Sequence, residues 1–200
     1  SADQTTDTCT NNFATLNPLD VSGTSIGTFS QGNTYGQSPN TSPEFIGRGT
    51  LAVSSGKWYW EAKCVSIDVG SFNNFVIGID NINSPITNSG YIGSTATSYS
   101  YAGYSGNKFN NNSGTSFGST LAVNDIVGVA LDMDNGFIYF SKNGVWQNSG
   151  DPTSGASGTG SAFSSISGTY TPAFSDQGSS VSLTIGANFG NPAFTISSGN

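Results

Sequence analysis

Apolar residues in this chain recur at every second position, with no stretch that repeats every third or fourth. The clearest case is Lys57 to Val65, KWYWEAKCV, where Trp58, Trp60, Ala62 and Cys64 fall on one face and Tyr59, Glu61 and Lys63 on the other. Strict alternation predicts a strand with one buried and one wet face, Glu61 being among the outward residues. Phe75 to Ile79 (FVIGI) and Ile126 to Leu131 (IVGVAL) are nearly continuous apolar runs, the pattern of strands covered on both faces. Every window that begins to repeat at i, i+3, i+4 and i+7 is broken by Gly, Asn or Ser, so little or no helix is expected.

From Asp125 the sequence runs DIVGVALDMDNGFIYFSKNGVWQN, three apolar segments separated by Asn135-Gly136 and Asn143-Gly144. Asn-Gly is the strongest short hairpin signal because a type I′ turn needs φ > 0 at both central residues. This predicts a three-stranded meander. Gly49 to Val53, Ser98 to Tyr104, Thr169 to Phe174 and Val181 to Phe189 are further strand candidates, while 32–43 and 148–160 read as loops rich in turn formers. Turn signals every ten residues or so point to an all-β antiparallel sandwich. The chain has 200 residues, the span of one domain, and residues 1–8 read as a flexible N-terminal segment.

Composition changes the picture mainly by exclusion. Charged residues make up 8% of the chain against roughly 25% in an ordinary soluble domain, while Ser, Thr, Asn and Gly together supply about half of it. Aromatic residues at 12% argue for a packed core over disorder. No His is present, which removes Ser-His-Asp and Cys-His machinery and imidazole-held metals. A net charge of −7 with five cations gives a run of phosphates nothing to bind, so nucleic acid is not an expected partner. No apolar run is long enough for membrane insertion as a helix.

The remaining chemistry is sparse. The only glutamates are Glu44 and Glu61, with no strand carrying the acidic cluster of a β-sandwich glycoside hydrolase, so no catalytic residue and no cofactor is expected. GTSFG at 114–118 matches a nucleophile-elbow pattern without a His partner. Asp132, Asp134 and Asn135 form the densest oxygen cluster, a weak calcium candidate that reads better as turn chemistry; no metal is expected. Cys9 and Cys64 leave two readings open, a single disulfide or a buried free thiol at Cys64. Tyr91 to Tyr104, YIGSTATSYSYAGY, has the Tyr/Ser/Gly composition of recognition loops. It nominates Tyr91, Tyr99, Tyr101 and Tyr104 as ligand-binding residues, with Asn110 and Asn111 as polar partners. The alternative is that these tyrosines pack on one face of a strand, Tyr99 and Tyr101 together.

The order of SGKWYWEA, an apolar strand ending in GID, GNKFNNN, DIVGVALDMDNGFIYFSKNGVW and a late strand ending in NFG resembles a SPRY (B30.2-like) domain. With CTNNFATLNPLD at Cys9 to Asp20, it is similar to SPRY-like modules of tailed-bacteriophage and environmental viral structural proteins. The resemblance implies a concanavalin-like jelly-roll sandwich, covers roughly Cys9 to Phe194, and suggests that the C-terminal edge is incomplete at TISSGN. It implies a non-enzymatic module of a virion fibre, tail or capsid surface, with other virion subunits or a homo-oligomer as partners, or a neutral host-surface glycan as ligand. The alternatives are a coat or decoration protein without a receptor and, further off, a glycoside hydrolase.

Overall fold

In a computed structural model of the chain, the structure is described for residues 13–21, 27–38, 45–67, 75–86, 90–176 and 182–190. The alternating and continuous apolar segments become fourteen strands among the described residues, and no α-helix accompanies them. In chain order they are β1 (Leu16–Val21), β2 (Thr28–Ser30), β3 (Tyr35–Gln37), β4 (Ile46–Gly49), β5 (Lys57–Ile67), β6 (Phe75–Asn81), β7 (Ser98–Ala102), β8 (Asn107–Asn110), β9 (Ser113–Ser116), β10 (Ile126–Asp132), β11 (Phe137–Lys142), β12 (Val145–Trp146), β13 (Tyr170–Asp176) and β14 (Leu183–Asn188). They form two seven-stranded sheets, ordered β1-β4-β13-β6-β7-β8-β9 and β12-β11-β10-β5-β14-β3-β2. All the strand pairs are antiparallel.

The sheets pack face to face as an antiparallel sandwich. Trp60, Ala62 and Cys64 of β5 meet Val127, Val129 and Leu131 of β10 and the inner residues Phe75, Ile77 and Ile79 of β6 in one core. The predicted meander is present, but its first turn differs from expectation. Asp132 pairs with Phe137 around a four-residue loop in which only Gly136, at φ 74°, is left-handed. The second turn has Asn143 at φ 49° and Gly144 at φ 81°, as a type I′ turn requires. The strand expected at Gly49 to Val53 stops at Gly49, and Val53 keeps a single bridge to Tyr170. The predicted loop at 32–43 contains β3. The loop at 148–160 carries two short 3-10 turns.

Unlike an ordinary half-wet sheet, the first sheet is covered on its outer face as well. Tyr91 and Ile92 fold over it and pack with Ile46, Val76, Ala102, Phe109 and Ala173. Ile92 is locked in place by its N–H donating to Ser175 Oγ (3.1 Å) and its carbonyl accepting from Ser100 Oγ (2.7 Å). Nearby, the buried Arg48 donates through Nε and Nη2 to Asp80 Oδ2 (3.1 and 2.7 Å) and through Nη2 to the Ser84 carbonyl (2.8 Å). Burial pushes the Asp80 carboxyl above its usual range although the Arg48 guanidinium opposes the shift, and Asp80 Oδ1 has no hydrogen-bond partner.

Among the described residues Cys64 is a free, buried thiol, 1% exposed, which burial raises to about 12. Cys9, residues 1–8 and the C-terminal TISSGN lie outside the described residues.

Candidate functional site

The structure does not bring the nominated tyrosines onto one surface. Side chains alternate along β7, so Tyr99 and Tyr101 both point inward between the sheets. Tyr101 is fully buried, stacked on Phe140 at 5.5 Å, with its hydroxyl donating to the Ser119 carbonyl. Tyr99 is half-buried against Phe163 and Tyr170. Tyr91 and Tyr104 lie on the opposite side of the same sheet, both against Phe109. Tyr91 is 8% exposed and donates to Asn112 Oδ1 (2.8 Å). Asn110 Nδ2 is spent on the carbonyls of Ala96 (3.1 Å) and Ser98 (2.9 Å), and Asn111 is an exposed turn residue at φ 51°. Tyr99 and Tyr101 share the inner face of β7, while Tyr91 and Tyr104 lie on the other side of the sheet. Tyr91 and Tyr101 are core residues, and none of the four rings forms a shared platform.

Asp132, Asp134 and Asn135 are likewise engaged within the fold. Asp132 Oδ1 accepts from the N–H groups of Asp134 and Asn135 (3.1 and 3.0 Å), while Oδ2 accepts from Asn135 Nδ2 (2.9 Å) and Lys57 Nζ (2.5 Å). Asp134 Oδ1 accepts from the Gly56 N–H (2.7 Å), tying the turn before β5 to the β10–β11 hairpin. Among the described residues no group of three His, Cys, Asp or Glu is placed to hold a metal ion.

A different aromatic surface lies on the outer face of the second sheet. Register puts Tyr59 of β5 and Tyr139 of β11 opposite Ala130 of β10, one on each side. The small central side chain leaves a trough beside Tyr59; Tyr139 is itself 1% exposed, so the rings accessible there are those of Tyr59 and the half-buried Trp146. Trp146, placed opposite Ser141 by the Asn143-Gly144 turn, stands edge-on to both, 6.3 Å from Tyr59 and 6.5 Å from Tyr139. Pro152 from the 148–160 loop and the Lys57–Asp132 pair complete a cleft of about 240 Å³. Trp58 and Tyr59 are 46% and 42% exposed. Trp58 was expected beside Trp60 on the buried face, but at the strand end the opposing sheet no longer covers it; its Nε1 donates to the Ser55 carbonyl (2.7 Å).

Glu61 supports this surface from below. It follows the expected outward alternation yet is 1% exposed, because Tyr59 and Asn188 close over it. Tyr59 Oη donates to Oε1 (2.8 Å) and Asn188 Nδ2 to Oε2 (3.1 Å). Gly128 permits this arrangement. A Cβ there would sit 2.6 Å from Tyr59 Oη and 2.4 Å from Ser141 Oγ.

The charges at the mouth reinforce each other. Hydrogen bonding to Asp132 raises the Lys57 ammonium above its usual range. Burial by itself would raise Asp132, but its bonds from Lys57 and Asn135 outweigh that and hold it below the carboxylate range. Tyr139, Trp146 and Pro152 were not singled out from the sequence. Alternation in FIYFSK and the pairing imposed by Asn143-Gly144 carried the signal for the first two, whereas Pro152 arrives through a loop with no periodic pattern.

The chain is 29% identical over 150 residues to the dual specificity protein kinase splA of Dictyostelium discoideum, a match spanning 71% of this chain and 6% of that protein's length. The crystal structure of the SPRY domain of human HERC1 superposes with a TM-score of 0.69 at 17% identity, covering 88% of this chain and 98% of that domain. The likeness to that domain is one of fold. A model of the SPRY domain matches residues 57–188, from the first residue of β5 to the last of β14, and on this match the chain belongs to the SPRY domain family.

Proposed function

We propose that this domain is a non-enzymatic recognition module displayed on a virion surface, and that the Tyr59–Ala130–Tyr139 cleft holds one ring of a neutral host-surface glycan. The observation carrying the reading is the cleft itself, where the Tyr59 and Trp146 rings stand beside the exposed Lys57 ammonium, which is held by the buried Asp132. Aromatic rings stack on the apolar face of a sugar, and a few convergent polar groups fix its orientation through the hydroxyls. The proposal moves the expected glycan site away from Tyr91, Tyr99, Tyr101 and Tyr104, which the sheet divides between its two faces. The virion setting rests on the resemblance of the sequence alone.

The carboxylates support a binding role over catalysis. Both Glu61 oxygens accept hydrogen bonds from Tyr59 and Asn188, and both Asp132 oxygens are held by Lys57 and Asn135 or by backbone N–H groups. Neither is presented as a general acid or a nucleophile. SPRY domains in general serve as interaction modules, in keeping with this assignment.

A glycan-array screen followed by titration tests the proposal. Binding of a neutral glycan that falls at least tenfold on Trp146→Ala, with the fold retained, supports it. An array without hits, together with self-assembly of the purified chain, favours a coat or decoration role without a receptor.

A further inference from the structure

The polar end of the cleft beside Tyr59 has hydrogen-bond donors to spare and no vacant carboxylate. Asp132, the one carboxylate among the lining residues, already accepts four hydrogen bonds: Oδ1 from the N–H groups of Asp134 and Asn135, Oδ2 from Asn135 Nδ2 and Lys57 Nζ. A carboxylate has about four lone-pair sites, so this one is full. Lys57 is the reverse case. Its ammonium has three donors. Asp132 is its one hydrogen-bond partner among the described residues, and 54% of the side chain is exposed. From this imbalance we infer that the cleft selects an N-acetylated sugar, whose acetamido carbonyl accepts from the Lys57 ammonium while its methyl group lies on the apolar surface beside Ala130. The inference rests on the glycan reading of the cleft and narrows it to one class of sugar.

A hydroxyl both donates and accepts. Laid against this end of the cleft it finds a donor in Lys57, but Asp132 has no lone pair left for its own proton. A donor that gives up water without a replacement partner loses that bond outright. The acetamido carbonyl only accepts, so nothing on it is left unmet. In a trans amide the N–H points opposite to the carbonyl, and it is therefore directed away from Lys57 and Asp132. The methyl group has apolar neighbours in Ala130 and Pro152, and its contact with them removes apolar surface from water on both sides. A plain hexose carries a hydroxyl in place of the acetamido group and forgoes that contact.

Charge excludes the other acceptor-only substituent, the carboxylate of an acidic sugar. Lys57 and Asp132 form an ion pair with no net charge, on a chain whose net charge is −7, so an anion entering the cleft meets no uncompensated cation. A neutral carbonyl still gains a charge-assisted bond from the ammonium without bringing a second negative charge to Asp132. The accessible rings of Tyr59 and Trp146 stack on a hexose and on its N-acetylated counterpart alike. They set affinity, and Lys57 sets the choice between the two.

The methyl β-glycosides of glucose, N-acetylglucosamine, galactose, N-acetylgalactosamine and glucuronic acid, titrated into the intact chain by NMR, test it. Each N-acetylated sugar is expected to bind several-fold tighter than its parent hexose, with strong saturation transfer to the acetamido methyl, and the glucuronide to bind no tighter than the glucoside. Lys57→Arg retains the charged donors and should retain the preference, whereas Lys57→Met should reduce it to about twofold or less. Trp146→Ala should weaken both members of each pair alike. Parent hexoses that bind as tightly as their N-acetylated counterparts, a preference for the glucuronide, or an undiminished preference in folded Lys57→Met would each overturn the inference. The comparison of sugars on the unsubstituted chain decides it even where Lys57→Met does not fold. Hexoses that bind in a Trp146-dependent way with no N-acetyl preference overturn the inference and leave the glycan reading standing. Absence of binding by all the glycosides overturns the inference, and an empty glycan array alongside it removes the reading as well.

Discussion

Tyr59 donates its hydroxyl to the carboxylate of Glu61, two positions further along the same face of β5, at 2.8 Å. The bond lets a ring that is 42% exposed shield a carboxylate that is 1% exposed, with Asn188 on the other oxygen. The wall of the candidate site is therefore fixed by a buried hydrogen-bond acceptor and not by packing alone. A buried acceptor that loses a donor keeps its desolvation cost, typically about 1–3 kcal/mol and more for a charged group.

Tyr59→Phe should consequently destabilise the domain by about 1–3 kcal/mol while keeping the ring. Urea denaturation measures this, and an unchanged midpoint would mean that water replaces the hydroxyl at Glu61.

Trp60→Ala is expected to cost about 3–5 kcal/mol, because the ring is 6% exposed in the main core. Trp58→Ala, at a side chain 46% exposed over a cavity, should cost clearly less. A reversal of the two would contradict the observed register of β5.

Arg48→Met removes the cation from a pair in which both members are buried, leaving the Asp80 carboxyl without its partner in the covered outer face of the first sheet. Breaking such a pair from one side costs about 3–5 kcal/mol. Arg48→Met combined with Asp80→Asn should recover much of that loss in thermal unfolding, whereas simple additivity of the two costs would argue against a coupled pair.

Acid stability should divide along the same lines. Asp125 and Asp132 have folded-state values below their unfolded ones, so the stability they contribute is present above about pH 4 and is lost as pH falls through the depressed values. Asp80 lies above its unfolded value and binds its proton more tightly when folded, so its protonation works in the opposite direction. Asp132→Asn should flatten the acid limb of a stability profile. An unaltered limb would show that the pair with the exposed Lys57 ammonium contributes nothing measurable.

Chelation provides a further check on the β10–β11 turn. With Asp132 satisfied by Lys57, Asn135 and two backbone N–H groups, EDTA should leave the melting temperature where it is. A drop that calcium reverses would reassign those oxygens as ligands.

Much of the fold was legible because period-two patterning is local. KWYWEAKCV, FVIGI and IVGVAL announced β5, β6 and β10, and the two Asn-Gly pairs announced the meander that sets Trp146 opposite Ser141. The strands at Tyr35–Gln37, Asn107–Asn110 and Ser113–Ser116 escaped notice, since their polar and glycine-rich residues carry no hydrophobic alternation. They are strands because a neighbouring backbone offers a ladder, which is a property of the neighbour.

What the sequence by itself determined is the set of strand faces and the chemistry that is missing: no imidazole, few charges and only two glutamates. Which face meets water was left to the tertiary structure. Tyr99 and Tyr101 share a face whether that face is core or surface, and only the sheet packed against them makes it core. Glu61 points outward from the core and is nonetheless buried, while Trp58 shares the alternation of Trp60 and is nonetheless exposed. Burial depends on what lies across the gap, and the partners across it are brought from distant parts of the chain: Asn188 closes over Glu61, and Pro152 and Trp146 converge on Tyr59. Alternation along a strand specifies direction, and the arrival of those remote segments decides whether that direction ends in solvent, in a cleft or in the core.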